Sequence, residues 1–256
     1  MNSGRPIHLK SPQELQLMRE AGRVNAEVLE TVRSLIAPGV STADLNSAAE
    51  EVLKRHGCYS PFKRYGQPPY PASICTSVNE ELVHGIPSKK RVLRQGDIIS
   101  VDSGTVLNGF VADSAFTAEV GEVDEQAHYL LETTRGALAA AIQQMRRGKR
   151  TGDVSAAIQG HAESRGFHVT REYTSHGVGR QMHEAPMVPN FGEAGTGIPL
   201  QVGMTIAIEP MVLVGTAQTR VLRDQWTVVS ADKSLTAHFE HTVAVTATEP
   251  LILTEP

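Results

Sequence analysis

The chain has 256 residues, 40% of them hydrophobic and 20% charged, with a formal net charge of -4 at pH 7. That length holds one large domain or two fused halves of about 120 residues each. The apolar share suffices for a substantial core, and the charge gives no electrostatic reason to bind nucleic acid or an anionic membrane. Two cysteines, Cys58 and Cys75, exclude a disulfide framework and fit a reducing compartment. No run approaches the roughly 18 apolar residues of a membrane span. Over Met1–Glu20, Pro6 and the charges from Lys10 onward interrupt any signal-peptide core, so a cytoplasmic protein is expected.

Residues 11–36 predict an amphipathic helix. Ser11 is a suitable N-cap, with Pro12 at the first helical position and Glu14 completing a capping box. Leu15, Met18, Gly22, Leu29, Val32 and Ile36 recur at helical steps, and Pro38-Gly39 ends the run. A second helix starts at Ser41 or Thr42 and reaches about Arg55, closed by Gly57. Shifted by 109 positions, Leu29 falls on Leu138, Gly39 on Gly148, Thr42 on Thr151, Asp44 on Asp153, Ala48 on Ala157 and Gly57 on Gly166. Matches in this order, inside the same predicted elements, argue for an internal duplication.

After each helical pair comes a His-Gly turn, Val83-His84-Gly85 and then Ser175-His176-Gly177. A strand ending in a carboxylate follows each, Gly96–Asp102 and Gly203–Glu209, and a shift of 107 superposes them. Between the two, Asn108-Gly109 predicts a tight hairpin closed by Leu107 and Phe110. Counting back from that turn sets Asp102 opposite Ala115 and Asp113 opposite Gly104, both aspartates on one face. In Met204–Glu209, strand alternation puts Met204, Ile206 and Ile208 on one face and Glu209 on the other. In Ala237–Val245 it puts Phe239, Val243 and Val245 opposite Glu240, His238 and Thr242. Acids converging on buried strands are costly unless cations neutralise them, and two divalent ions would cancel Asp102, Asp113, Glu209 and Glu240.

His176 and His183 flank a glycine-bearing segment that excludes a regular helix. Imidazole there can complete a carboxylate-rich metal site or donate to a developing charge; the alternative is a loop histidine in solvent. His8, His56, His128, His161, His168, His238 and His241 read as surface or packing histidines, with His238 distinguished by sharing Glu240's face.

Asp102, Asp113 eleven residues on, His176 in S-H-G-V-G-R, Glu209 in I-E-P-M and Glu240 in F-E-H-T together resemble the methionine aminopeptidases. C-T-S-V-N-E-E-L-V-H-G-I-P around His84 and H-E-x-P at His183 extend the likeness, which runs from about residue 8 to residue 250. The resemblance implies an α+β pita-bread (creatinase/aminopeptidase) fold, a central antiparallel sheet flanked by helices in two pseudo-symmetric halves. The expected organisation is a single catalytic domain over 1–256, with halves of roughly 11–120 and 121–250. The type I subgroup fits best: the 33 residues from His176 to Glu209 leave no room for the type II helical insertion, and no zinc-binding extension precedes residue 10. Prolidases and creatinases add an N-terminal domain for which this chain is too short.

The resemblance also implies roles. Asp102, Asp113, His176, Glu209 and Glu240 are expected to ligate two divalent metals (cobalt, manganese, iron or zinc), with Asp113 and Glu240 bridging. His84, His183 and Glu209 are the expected catalytic residues. Glu209 accepts a proton from the attacking water, His183 donates to the carbonyl oxygen and His84 assists the scissile amide. Tyr70, Cys75, Met182 and Trp226, with His84 and His183, would line the methionine pocket, and Gln67 would make one corner more polar than usual. The expected reaction removes the initiator methionine from nascent chains whose second residue is small. Ribosome contact fits a co-translational enzyme, though no basic patch shows how, and a monomer is expected. Two other readings are a proline-specific aminopeptidase of the same fold and a binding protein without catalysis. Cys75 and Trp226 speak against the first, and the complete set of ligand types against the second.

Overall fold

A computed structural model describes residues 6–256; residues 1–5, part of the stretch read above for a signal peptide, lie outside the described residues. The first half comprises α1 (Pro12–Leu35), α2 (Thr42–Arg55), β1 (Ile74–Val78), β2 (Glu81–Val83), β3 (Ile98–Leu107) and β4 (Phe110–Glu119). Next come α3 (Glu125–Ile142), α4 (Thr151–Glu163), β5 (His168–Val169), β6 (Thr174–Gly177), β7 (Glu184–Pro189), β8 (Thr205–Ile208) and β9 (Met211–Leu213). The chain closes with β10 (Thr219–Val221), β11 (Val228–Ser230), β12 (Thr236–His238), β13 (Glu240–Ala244) and β14 (Leu251–Ile252). None of the described helices is long and apolar enough to cross a membrane.

The helices begin where their caps predict. Ser11 accepts from the Glu14 N–H at 3.3 Å while the Glu14 carboxylate accepts from the Ser11 N–H at 2.9 Å. Ser41 and Asp44 repeat the box at the start of α2. In the second copy Asp153 still accepts from the backbone N–H of Arg150, at 2.7 Å, but arginine offers no acceptor in return. The superposable glycines do the same work in both copies: Gly39 and Gly148 have φ of +93° and +90°, the left-handed region that favours glycine.

The main sheet is antiparallel, in the order β1-β3-β4-β13-β8-β6-β7, with β14 beside β13. Two small three-stranded sheets, β10-β11-β2 and β12-β9-β5, adjoin it. Val101, Ile206, Ile208 and Val243, one set of alternating strand positions, join Val28 and Val32 of α1 and Leu138 of α3 in the principal core. The other set carries the acids.

Three expectations need correction. Ala237–Val245 is not one strand: β12 pairs with β9, β13 pairs with β4 and β8, and the path breaks at Phe239. There the Phe239 N–H turns to the Pro210 carbonyl at 3.4 Å and the Arg135 guanidinium covers the buried ring. Glu209 stands one residue beyond β8, because Pro210 has no N–H with which to continue the ladder. Finally, the two His-Gly pairs are not equivalent turns. His84 follows β2 with φ +62°, whereas His176 lies within β6, where a bulge at Gly177 shifts the pairing with β7.

Candidate metal centre and its adjoining pocket

Strand register assembles the centre in two adjacent rows across the sheet. In the first, Asp102 of β3 opposes Ala115 of β4, which opposes Glu240 of β13. In the second, Gly104 opposes Asp113, and across β13, β8 and β6 Thr242 opposes Ala207, which opposes His176. Thr242 Oγ1 accepts from the Asp113 N–H at 3.1 Å and donates to the Asp113 carbonyl at 2.8 Å, which ties the row together. The hairpin register predicted for Asp102 and Asp113 is the observed one, turned at Asn108 (φ +51°) and Gly109 (φ +76°). Ala115 and Ala207 are small beside the acids and His176, while Gly104 admits Pro61 and Phe62, to which a Cβ there would come within 2.7 and 3.0 Å.

Asp113, His176 and Glu240 are buried, and each offers an atom within 4.8 Å of the others. His176 Nε2 lies 3.7 Å from Asp113 Oδ2 and 3.4 Å from Glu209 Oε1. Asp102, the fifth expected ligand, is held beside Asp113 by the β3–β4 hairpin. A further residue joins them: His238 Nε2 lies 3.8 Å from Glu209 Oε2 and 3.7 Å from Glu240 Oε2. The sequence alone places His238 among the surface or packing histidines, and its position on Glu240's face is the signal that it carries.

Burial pushes the Asp102, Asp113, Glu209 and Glu240 carboxyls up, and for Asp102, Glu209 and Glu240 mutual repulsion adds to it. Burial lowers His176 and His238 to about 3, so both rings are neutral. Asp102 Oδ1, Asp113 Oδ1, Glu240 Oε1 and His238 Nε2 are buried without a hydrogen-bond partner among the described residues. Buried polar atoms of this kind are normally satisfied. His176 Nδ1 donates to the Gly177 carbonyl at 2.9 Å, which leaves an unprotonated Nε2 facing carboxylate oxygens. Lone pairs facing lone pairs in a buried site are what a cation resolves, and this oxygen-rich donor set with imidazole nitrogen fits divalent metal.

Beside the centre opens a cavity of about 240 Å³. Tyr70, Cys75, Met182, Trp226, His84 and His183 all line it. Tyr70 packs edge-on against Trp226, centroids 5.2 Å apart, and its hydroxyl donates to the Gly85 carbonyl at 2.8 Å. Cys75 is fixed opposite Asp102 in the β1–β3 register. Gln67 is a correction: it is exposed and does not line the cavity, because its loop turns it outward. Phe62, Tyr65 and Tyr173 line the wall as well and were not anticipated. The Tyr65 hydroxyl lies 2.7 Å from His183 Nδ1, and the two ring centroids of His176 and His183 are 4.3 Å apart. Behind His183, Lys10 and Glu184 form a buried ion pair at 2.6 Å. Glu184 also accepts from the N–H groups of Arg180 and Gln181 at 2.8 and 3.1 Å, fixing the turn that delivers His183. Burial raises the Glu184 carboxyl, but Lys10 and these N–H groups outweigh it and hold it below its ordinary value.

Comparison with known proteins follows the same lines. Residues 16–247 match the family described as metallopeptidase family M24. The chain is 47% identical to a methionine aminopeptidase of Clostridium acetobutylicum over 97% of its own length and 98% of that protein's. It is likewise 47% identical to methionine aminopeptidase 1 of Bacillus subtilis, over 97% and 99%. The crystal structure of a Thermotoga maritima methionine aminopeptidase superposes with a TM-score of 0.96 at 45% identity, covering 98% of this chain and all of that one. A prolidase from Pyrococcus horikoshii, 21% identical with a TM-score of 0.75, shares the fold.

Proposed function

Because the chain belongs to metallopeptidase family M24, we propose that it removes N-terminal methionine from protein and peptide substrates, using two divalent metal ions. The activity is that of a methionyl aminopeptidase, a hydrolase. The observation that carries this reading is the buried cluster of unpartnered carboxylate and imidazole atoms next to a sulfur- and aromatic-lined cavity. We read residues 1–256 as one catalytic domain with halves of roughly 11–120 and 121–250, since the centre draws acids from both.

Asp102, Asp113, His176, Glu209 and Glu240 would hold the ions, with His238 against Glu209 and Glu240. When bound, the ions supply the charge that neutralises the acids and lowers the pKa of the attacking water. Glu209, at the more exposed edge of the cluster, takes that water's proton on a carboxylate oxygen. His183 donates from its ring to the carbonyl oxygen as negative charge develops there. His84, edge-on to Tyr173 and Trp226, hydrogen-bonds the scissile amide and supports the departing nitrogen. Tyr70, Cys75, Met182 and Trp226 hold the thioether by dispersion and sulfur–aromatic contact. The substrates are N-termini of nascent chains with small second residues, handled by a monomer in the cytoplasm, and ribosome association fits that timing.

Release of free methionine from Met-Ala-Ser by chelator-treated protein, titrated with manganese, cobalt, iron or zinc, tests the reading. Activity should disappear on chelation, return with metal, and be lost in Glu209→Gln. Loss of the His183 donor should cost about 100- to 1,000-fold in rate in His183→Ala. A folded, metal-binding protein that releases no methionine with any of these ions would overturn it, and Xaa-Pro peptides would then be the next substrates.

A further inference from the structure

Tyr65 is a large aromatic residue left 44% exposed at the mouth of the cavity. Among the described residues its hydroxyl has one polar partner, His183 Nδ1 at 2.7 Å, and the ring centroids are 5.3 Å apart. Its backbone is fixed by a closed turn. The Tyr65 N–H donates to the Phe62 carbonyl at 2.9 Å, and the Tyr65 carbonyl accepts from the Tyr70 N–H at 2.8 Å. The same turn is anchored to the pocket wall, where Trp226 Nε1 donates to the Pro68 carbonyl at 3.0 Å. Gly66, at φ +72°, passes so close to Trp226 that a Cβ there would sit 2.5 Å from the indole. The loop is thus built to hold one hydroxyl against one nitrogen.

A neutral imidazole has one N–H and one bare nitrogen, and the partner of one nitrogen decides which form is present. We propose that Tyr65 is a positioning residue for His183, its hydroxyl donating to Nδ1 and so keeping the ring proton on Nε2. The inference rests on the reading of His183 as donor to the scissile carbonyl, which requires a proton on the nitrogen that Tyr65 does not occupy. Without the hydroxyl, the proton redistributes between the two nitrogens, and in part of the population the donor becomes an acceptor facing the developing oxyanion. Tyr65 keeps its own proton throughout and touches no reacting atom.

Two-bond proton–nitrogen spectra of the zinc-loaded enzyme, with nitrogen-15 in its histidines, read the tautomer directly. The His183 signals are those lost in His183→Gln. In the unaltered protein Nδ1 should show the shift of a bare nitrogen and Nε2 that of a protonated one. In Tyr65→Phe the shifts should move toward each other. The kcat for Met-Ala-Ser should fall about fivefold to tenfold, the worth of one hydrogen bond, with KM within about twofold. In a His183→Ala background the same substitution should cost nothing further. A proton found on Nδ1 of the unaltered protein overturns the proposal without any variant. Unchanged shifts in Tyr65→Phe, or equal losses in both backgrounds, also overturn it. An enzyme that releases no methionine sinks the underlying reading instead, and the tautomer still decides the role of Tyr65.

Discussion

His176 shows how much one hydrogen bond decides. The Gly177 carbonyl can only accept, so Nδ1 carries the proton and Nε2 is committed as a lone-pair donor toward Asp113 and Glu209. Replacing Asp113 with Asn or His176 with Gln should therefore weaken zinc or manganese binding by more than about 100-fold, beyond the loss typical of outer-shell changes. Calorimetric titration of the chelated protein measures it. His84 makes a separate prediction in acid. Burial, with His183 nearby, lowers it from 6.5 to about 4. Between those values the unfolded chain takes up a proton that the folded protein refuses. Its contribution to stability is present above pH 6.5 and is lost as the pH falls through 4. His84→Gln should lose less stability than the unaltered protein between pH 6.5 and 4, measured as urea midpoints. At this scale the acids were legible because strand alternation points side chains without knowledge of the fold. Tyr65 was not, since its partner His183 arrives from a distant segment, and His238 showed only its shared face with Glu240, because Glu209 reaches it through the fold.

Elements differ in the same way. The capping box of α1, the start of α2 at Ser41–Thr42 and the Asn108-Gly109 hairpin involve residues within a few positions of each other, and each is where the sequence put it. The place of β13 between β4 and β8, and the break at Phe239 before it, depend on pairings some 35 to 130 residues apart that no local pattern encodes. The turn that carries His183 depends on a contact of this second kind, Lys10 with Glu184, 174 residues away. Lys10→Met strands a buried carboxylate and should cost about 3 kcal/mol or more. Adding Glu184→Gln, which keeps part of the hydrogen bonding to Arg180 and Gln181, should recover much of that loss. Urea denaturation of the two variants decides whether the pair or the packing of Lys10 matters.

For the whole molecule, the centre opposes folding until it is filled. The Asp102, Asp113, Glu209 and Glu240 carboxyls sit above their ordinary values, so the folded metal-free protein holds protons that the unfolded chain releases. Stability of that form should fall as the pH rises through the folded values. Loss of the proton that His84, His176 and His238 carry only in the unfolded chain works the other way around their ordinary value of 6.5 and fades well above it. Calorimetry from about pH 7.5 to 8.5 should show a falling melting temperature for the chelated protein and a much flatter one with metal, where binding also adds stability. A chelated protein insensitive to pH over that range would contradict the repulsion.

The middle of the main sheet is filled by β13, which the ribosome makes after β4 and β8, the strands it joins. Chains emerge from the ribosome N-terminal end first, so Asp102, Asp113, His176 and Glu209 are all synthesised before the strand that brings Glu240 between them. With Glu240 in its proposed role, a growing copy should be catalytically silent over almost its entire translation and gain its activity in one late event. On the same role, a prematurely truncated product that ends before Glu240 should be an inert by-product rather than a weaker hydrolase.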